Sequence, residues 1–575
     1  MVMAALQTLA RALVDFLRSL SVPGLAVGTL AFAASTQPSL IPRGWIFSAV
    51  ISALALLVGY VVGVAARALL RRLGLARVLP PRWRPAVQRA LLVVLGVVAV
   101  VTTVTGAASQ RRQALLWGLE PTAGGHVVTI VAGSLLLFAL LLLLGRAIRR
   151  GIRALGRLLA RHLPRPVAAT LSFALIVGGT VAVISGAFTT VVLDGLTRSF
   201  LARDATTPHG AQQPQEPERS GSPQSLVAWE DLGYEGRHFV SDGPSAQEIT
   251  EVTGRPALEP IRVYAGLATA SGPLLDADLQ EVADAVVAEL DRTGAWDREV
   301  LAVATTTGTG WVDPISAATL EYLHEGDTAV ATMQYSVNPS WVQLVTDLDR
   351  PAQAGQILFD AVATRWAQLP EDQRPLLVPF GISLGSFGSQ EAFTSLAALT
   401  DRASGAVWVG TPKFTELRND IAETRVAGSP QIHPVIGQEE SVRWFTGNGG
   451  DQLAEVQWQR EAPADGQEWQ ARVAYVQHPS DGVVWWWWDV AWNRDPWFTE
   501  PPGQDVLPGI RWYPLITGMQ VMGDMFVAGS PTVPLGYGHN YGEEWVDAWV
   551  WVTTPEGWDD ASLAELRDLV HTIER

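Results

Sequence analysis

The stretch Leu376-Leu377-Val378-Pro379-Phe380-Gly381-Ile382-Ser383-Leu384-Gly385-Ser386-Phe387-Gly388-Ser389-Gln390 decides how the second half of this chain is read. Its first five residues are apolar and suit a short buried strand. Gly381 to Gly385 then spells Gly-x-Ser-x-Gly, and a helical segment follows from Ser386. Strand, sharp turn and helix is the setting that lifts a serine hydroxyl above the end of a parallel sheet. The flanking glycines remove side chains that would collide with the neighbouring strand and helix. The N–H of Leu384 is placed to donate to a developing oxyanion. Glycine is common enough here for such a match to arise by chance, but Ser383 is the only one in 575 residues and falls at the right place in the pattern.

Working outward, short β-rich runs alternate with helical ones. The expected strands are Ile261–Ala265, Glu299–Thr305, Thr328–Tyr335, Leu376–Phe380, Ala406–Gly410 and Arg472–Gln477. Between them, Asp276–Thr293, Pro351–Leu369 and Ser386–Thr400 carry apolar residues at three- and four-residue spacing. This predicts a mainly parallel sheet with helices on both faces, whose ligands gather at the carboxyl ends of the strands.

A serine needs a general base to become a nucleophile, and in this arrangement the acid and then the histidine follow the serine along the chain. Four histidines qualify: His433, His478, His539 and His571. His571 sits on an expected terminal helix and His433 in an irregular segment. His539 lies in the glycine-rich loop Leu535-Gly536-Tyr537-Gly538-His539-Asn540-Tyr541-Gly542, the best candidate for the base. The strand Arg472–Gln477 leads through His478-Pro479-Ser480 to Asp481, the expected acid, with Asp489 in reserve. An ordinary Asp-Gly turn would read the same way.

A second oxyanion donor is expected from Gly308, Thr309 or Gly310, after strand Glu299–Thr305, where a plain surface turn is the alternative. Val484-Trp485-Trp486-Trp487-Trp488-Asp489, then Trp492, Trp497 and Phe498, form either a lid facing a bilayer or a filling of the core. Trp311, Trp485, Trp486 and Tyr537 are the candidate substrate contacts.

The first 200 residues differ in kind. They hold 20 arginines, no lysine and three acids, a net of +17, whereas the rest carries 21 basic and 54 acidic residues, a net of −33. Five stretches free of charge, about Ser19–Pro42, Trp45–Ala66, Ala90–Gln110, Pro121–Gly145 and Pro166–Leu193, are each long enough for a span of about 20 residues. Arg67, Arg71, Arg72, Arg77, Arg82, Arg84 and Arg89 lie between the second and third. Arg146, Arg149, Arg150, Arg153, Arg157, Arg161 and Arg165 lie between the fourth and fifth. The positive-inside rule puts both sets in the cytoplasm, which with five spans predicts a cytoplasmic N-terminus and an extracytoplasmic C-terminal half. The spans hold no Asp, Glu, Lys or Arg, which argues for an anchor over a transporter. Residues 1–200 thus read as a transmembrane helical domain, 201–225 as a flexible Pro-, Gln- and Ser-rich linker and 226–575 as the α/β domain.

The acidic soluble half excludes a nucleic-acid footprint. The absence of cysteine excludes disulfides, thiolate metal sites and a cysteine nucleophile. No cofactor or metal is expected.

Several stretches resemble the actinobacterial membrane-anchored α/β-hydrolases with a multi-span N-terminal domain. They are Pro38-Ser39-Leu40-Ile41-Pro42-Arg43, Thr307-Gly308-Thr309-Gly310-Trp311-Val312-Asp313-Pro314, Gly381 to Gly388, Val407-Trp408-Val409-Gly410, Gln477-His478-Pro479-Ser480-Asp481 and Gly538-His539-Asn540-Tyr541. The resemblance covers nearly the whole chain outside the linker. It implies Ser383, Asp481 and His539 as a catalytic triad in a hydrolase fold. The family pattern often has Glu before the serine; Ile382 stands here, which bears on substrate polarity. The expectation is a plasma-membrane serine hydrolase of esterase, lipase or thioesterase type, acting on a lipid or cell-envelope ester. An envelope acyltransferase using the same triad, or a non-catalytic membrane scaffold, are the alternatives. Oligomeric state is left open.

Overall fold

The computed structural model describes residues 14–74, 84–120, 126–437, 441–447 and 471–573, together with Gln7 and Arg11. Arg77, Arg82 and the expected start of the fourth span at Pro121 lie outside these residues. The chain divides into two compact units. One comprises residues 1–186, 488–498 and 506–527; the other comprises 187–487, 499–505 and 528–575.

Among the described residues four helices are long and apolar enough to cross a membrane: Trp45–Arg72, Pro85–Leu116 and Val127–Leu159 in the first unit, and Arg165–Asp204, which begins there and continues past its boundary at residue 186. The expected first span, Ser19–Pro42, falls short. Its helix covers only Val22–Ser35, 14 residues, rising about 21 Å against a hydrocarbon core of about 30 Å. Ser21 and Pro23 start it late, with Ser21 Oγ accepting from the Gly24 N–H, and Pro38 follows soon after its end. This short helix packs closely on Trp45–Arg72: a Cβ on Gly59 would stand 2.6 Å from the Val27 carbonyl oxygen. Small residues let two backbones touch where no hydrophobic effect drives helices together. Arg146, Arg149, Arg150, Arg153 and Arg157 continue the His126–Leu159 helix beyond its apolar part.

The same unit contains residues from far along the chain. Ile516 shares a small apolar cluster with Ala34 and Ala55. Asp524 is fully buried; it accepts from the Ser39 hydroxyl and, at 3.1 Å, from the Leu40 N–H, and it pairs with Arg43 at 3.2 Å. Gln520 donates to the Ser35 carbonyl at 3.2 Å. The Ser39 to Arg43 stretch is therefore the seat for a helix, Ile516–Ala528, that lies between the expected acid and base in sequence.

The second unit is built on seven strands: β1 Ile261–Ala265, β2 Val300–Thr305, β3 Thr328–Met333, β4 Leu376–Ile382, β5 Gly405–Val409, β6 Val442–Phe445 and β7 Arg472–Val476. They order as β1-β3-β2-β4-β5-β7-β6, and every pairing is parallel. Five of the seven are buried at every position, as befits a sheet covered on both faces. Asp278 caps the helix Leu279–Thr293 by accepting from the Gln280 N–H, and Gly294 ends it in the left-handed conformation. The expected helix Ser386–Thr400 is two pieces, Leu384–Gln390 and Leu396–Thr400. β6, four residues with a buried Arg443 in their midst, had no apolar alternation to announce it.

Residues 203–225 differ from the expected linker. Arg219 is buried and donates to the carbonyls of Val240 and Asp242 and to Glu259. The Ser220 N–H bonds the Arg262 carbonyl at 3.0 Å, so this stretch bridges to the edge of β1. Its polar composition supplies the partners that hold it down. Arg262 itself is clamped inside the unit by Glu321 through two bonds of 2.8 and 2.7 Å, with both side chains at most 1% exposed.

Removing one partner of such a buried pair strands a charge, at a cost of about 3–5 kcal/mol, whereas replacing both by apolar residues is often neutral. Glu321→Gln should lower the denaturation midpoint of the full chain in detergent, and Arg262→Met with Glu321→Leu should recover most of it. Equal midpoints for Glu321→Gln and wild type would contradict this account.

Candidate active site

β4 runs into Ser383, which adopts φ 57 and ψ −127, and the helix Leu384–Gln390 starts at once. A non-glycine residue in this region is strained by about 1–3 kcal/mol, and the surroundings hold it there. The Ser383 N–H bonds the Val409 carbonyl and its own carbonyl accepts from the Phe387 N–H, both at 3.0 Å. Glycines on either side permit the turn. A Cβ on Gly381 would stand 2.5 Å from the Gly385 carbonyl carbon, and one on Gly385 would collide with the Thr305 carbonyl oxygen.

Strand order brings the other residues alongside. β4, β5 and β7 are consecutive in the sheet, so the ends that carry Ser383, Gly410 and Asp481 lie about 4.8 Å apart from one to the next. Asp481 is fully buried, and three donors converge on its carboxylate. The Val483 N–H reaches Oδ1 at 2.8 Å, while His539 Nδ1 and the Tyr541 hydroxyl each reach Oδ2 at 2.6 Å. Donation from Nδ1 to a carboxylate leaves Nε2 as the basic nitrogen. That atom is buried and makes no hydrogen bond among the described residues.

The imidazole occupies the space over the middle strand end. Gly410 has φ +55, and a Cβ there would stand 2.5 Å from His539 Cε1. Any other residue would push the ring away. The loop that carries the ring is fastened from several sides. The His539 N–H bonds the Ala528 carbonyl, the Gly538 N–H bonds Ser480 Oγ, and the Asn540 amide bonds the Ser530 and Val533 carbonyls.

Beneath this layer His478 is fully buried, stacked on Tyr541 with ring centroids 4.2 Å apart. Its Nε2 faces Glu544 at 2.7 Å and its Nδ1 faces the Gly538 carbonyl at 2.9 Å. Two acceptors require two N–H groups, which makes this ring an imidazolium. Burial, the largest influence, disfavours the charge; the Glu544 carboxylate more than reverses it, helped by Asp505 and the Gly538 carbonyl, and the pKa is raised to about 9. Glu544 is held below the usual carboxylate range: burial opposes this, and the His478 charge and hydrogen bond outweigh it. Asp505 is raised by burial, against the pull of His478 and the Ser480 hydrogen bonds.

Other expected residues fall elsewhere. The N–H groups of Gly308 and Gly310 are engaged within the protein, by Ser340 Oγ and the Thr307 carbonyl, and the Gly310 carbonyl accepts from Tyr264. Thr309 accepts from Gln334 through its carbonyl. What stands closest to these glycines is the Asn338–Ser340 backbone at Gly308 and the Tyr264 hydroxyl at Gly310. The backbone next to the elbow is instead Thr305–Thr306, whose carbonyls crowd Gly385. Trp485 is buried with Nε1 bonded to the Pro479 carbonyl, and Trp486 is buried beside it, so both fill the interior. Trp311 is half-buried against the core, and Tyr537 is half-buried, its backbone bridged to Asn540. Asp489 lies in the segment assigned to the first unit, and the carboxylate that pairs with His539 is that of Asp481. His571 is largely exposed beside Glu543. Sequence reasoning missed the roles of His478, Tyr541 and Glu544. The first two stood in the quoted Gln477–Asp481 and Gly538–Tyr541 runs; Glu544 carried no signal. Among the described residues no three His, Asp or Glu side chains gather to hold a metal.

Residues 261–566 match an alpha/beta-hydrolase family, and residues 37–244 match the N-terminal region described for an alpha/beta-hydrolase family. The chain belongs to this alpha/beta-hydrolase family. No curated protein and no solved structure gives a match.

The His478 pair has a pH signature. Its folded pKa, about 9, stands above the ordinary 6.5, so its contribution to stability is complete below about pH 6.5 and is lost as pH rises through about 9. The thermal midpoint of the full chain, followed by tryptophan fluorescence, should fall over that window. His478→Gln should start lower and vary less with pH there. A wild-type midpoint that is flat from pH 6.5 to 9.5 would remove the imidazolium from this account.

Proposed function

We propose that this protein is a membrane-anchored serine hydrolase that cleaves a carboxylic ester of a lipid or cell-envelope component through an acyl-enzyme. The observation that carries the proposal is the imidazole of His539, tied to Asp481 at 2.6 Å through Nδ1 with Nε2 left unpaired, over the strand end beside the strained Ser383.

In the proposed cycle Ser383 Oγ attacks the ester carbonyl carbon while His539 Nε2 takes its proton. The carbonyl oxygen becomes an oxyanion held by the Leu384 N–H, with the Thr305–Thr306 backbone the nearest source of a second donor. Collapse breaks the ester C–O bond, and the alcohol leaves with the proton from His539. Water then repeats the sequence: it gives its proton to Nε2, attacks the acyl carbon, and releases the acid as the proton returns to Ser383. Asp481 fixes the ring and stabilises its transient charge. Tyr541 holds Asp481 in place through the hydrogen bond on the same oxygen.

Orientation rests on the arginines. Both rich clusters fall on one side of the four long helices, the cytoplasmic side by the positive-inside rule. The helix Arg165–Asp204 then leaves on the opposite side, which puts the hydrolase unit outside the cytoplasm. This conclusion does not need the short Val22–Ser35 helix. Only the side of the N-terminus depends on whether that segment crosses.

The full chain in detergent should be labelled by a fluorophosphonate probe, and Ser383→Ala should abolish labelling. Turnover of a short ester should fall about 10⁴-fold in Asp481→Asn and at least as far in His539→Ala. Labelling that survives Ser383→Ala would sink the proposal. A periplasm-type reporter enzyme fused after Arg575 should be active, and one that works only in the cytoplasm should be silent; the reverse would overturn the orientation.

A further inference from the structure

The peptide that joins Gly538 to His539 is held at both of its polar ends. Its carbonyl faces His478 Nδ1 at 2.9 Å, and its N–H donates to the Ala528 carbonyl at 2.9 Å. A peptide is planar, so holding its oxygen and its hydrogen together sets the plane from which the His539 side chain departs. Gly538 is gripped from the other side as well: its N–H donates to Ser480 Oγ at 2.9 Å. With φ +56, and with the Ala528 carbonyl oxygen 2.8 Å from where a Cβ would stand, only glycine suits this position. The loop after β7 thus fastens the base twice through backbone, from His478 and Ser480, before Asp481 meets the ring itself.

Both side-chain contacts of His478 need a proton on the ring nitrogen that makes them. Glu544, at the start of the helix Glu544–Thr553, faces Nε2 at 2.7 Å. Asp505, bonded to the Ser480 N–H at 3.0 Å, adds a second carboxylate to the field on the ring. Tyr541 stacks on the ring, and Asp481, three residues along, is engaged by His539 and Tyr541. When the ring loses one proton, the other stays on Nε2 against the Glu544 charge. Nδ1 then turns a lone pair towards the Gly538 carbonyl oxygen, and an attraction becomes a repulsion.

We propose that His478 is a positioning residue for the Ser383 reaction: its imidazolium, seated between Glu544 and the Gly538 carbonyl, holds the peptide from which His539 reaches Asp481, and loss of one proton releases that peptide and slows turnover. The proposal rests on the Ser383 hydrolase reading and gives that site an alkaline limit. His478 acts only through the placement of His539. A displacement of about 1 Å at a reacting group can cost about 100-fold in rate. Burial disfavours the His478 charge and Glu544 outweighs it, which raises the pKa to about 9. Turnover is therefore held below that pH and lost as pH rises through it.

The test measures kcat and KM for p-nitrophenyl acetate on the full chain in detergent from pH 7.5 to 10. Rates are expressed per site labelled to completion by a fluorophosphonate probe at pH 7.5, so that unfolded protein is not counted. In wild type kcat should fall about ten-fold across this range, centred near pH 9, with KM nearly constant. Glu544→Gln removes the charge that outweighs burial, so the fall should move at least about one pH unit lower. Asp505→Asn, the gentler change, should move it the same way by less. His478→Gln should have a low kcat throughout and no fall near pH 9. His571→Gln, at an exposed histidine beside Glu543, should match wild type. A merely structural role for the buried pair would reduce the number of labelled sites and leave the fall where it is. A wild-type kcat that is flat to pH 10, a fall that stays in place in Glu544→Gln and Asp505→Asn, or one that persists in His478→Gln overturns the positioning role alone. A wild type that neither takes the probe nor cleaves the ester overturns the hydrolase reading, and the positioning role with it.

Discussion

The 2.6 Å hydrogen bond from His539 Nδ1 to Asp481 Oδ2 joins two loops 58 residues apart, and the arrangement around it exists to keep that distance. The acid is saturated with donors so that its carboxylate does not rotate. The ring is set by a loop bonded at three successive residues, Gly538, His539 and Asn540. Gly410 leaves the volume that the ring fills. Below them, the buried His478–Glu544 pair bonds the Gly538 carbonyl, so the floor of the site is ionic and directional where an apolar contact would slide. Such a floor is costly to desolvate. Its return is geometric: one imidazolium fixes a backbone carbonyl next to the residue that must not move.

What could be seen in the sequence followed from local rules. Ser383 was legible because a strained turn between strand and helix demands glycine at fixed offsets, and Asp481 and His539 because chain order in this fold leaves few candidates. Six of the seven strands showed as apolar runs. β6 did not, because four residues around Arg443 at the sheet edge have too little pattern to stand out. The Gly308–Gly310 loop misled because glycine signals a close approach without saying of what; the partner is Asn338–Ser340. The tryptophan run left lid and core filling open for a similar reason. Identical residues in succession part company, Trp485 inside and Trp488 outside, and only the fold decides where the division falls. The apparent linker failed for the opposite reason, since its polar side chains found buried partners that composition does not show.

The N-terminal half adds a second lesson. Counting apolar residues gives five segments, yet prolines near both ends of the first leave 14 residues of helix, which packs as a short prop against its neighbour. Hydropathy measures how much of a segment suits lipid, not whether its backbone holds one helix for the full thickness. The Ser39 to Arg43 stretch, most of which hydropathy counts as part of the first span, becomes the polar seat of Asp524.

That seat has a bearing on how the molecule is made. Between the acid and the base the chain enters the helical unit twice, at residues 488–498 and 506–527, before it returns with the imidazole. The loop of His539 thus follows, in chain order, a segment whose partners Ser39, Leu40 and Arg43 are among the first residues to leave the ribosome. A cut placed before the sheet would strip Asp524 of Arg43 and Ile516 of Ala34 and Ala55. The two units look separable on a gene map, yet they are interleaved along the chain.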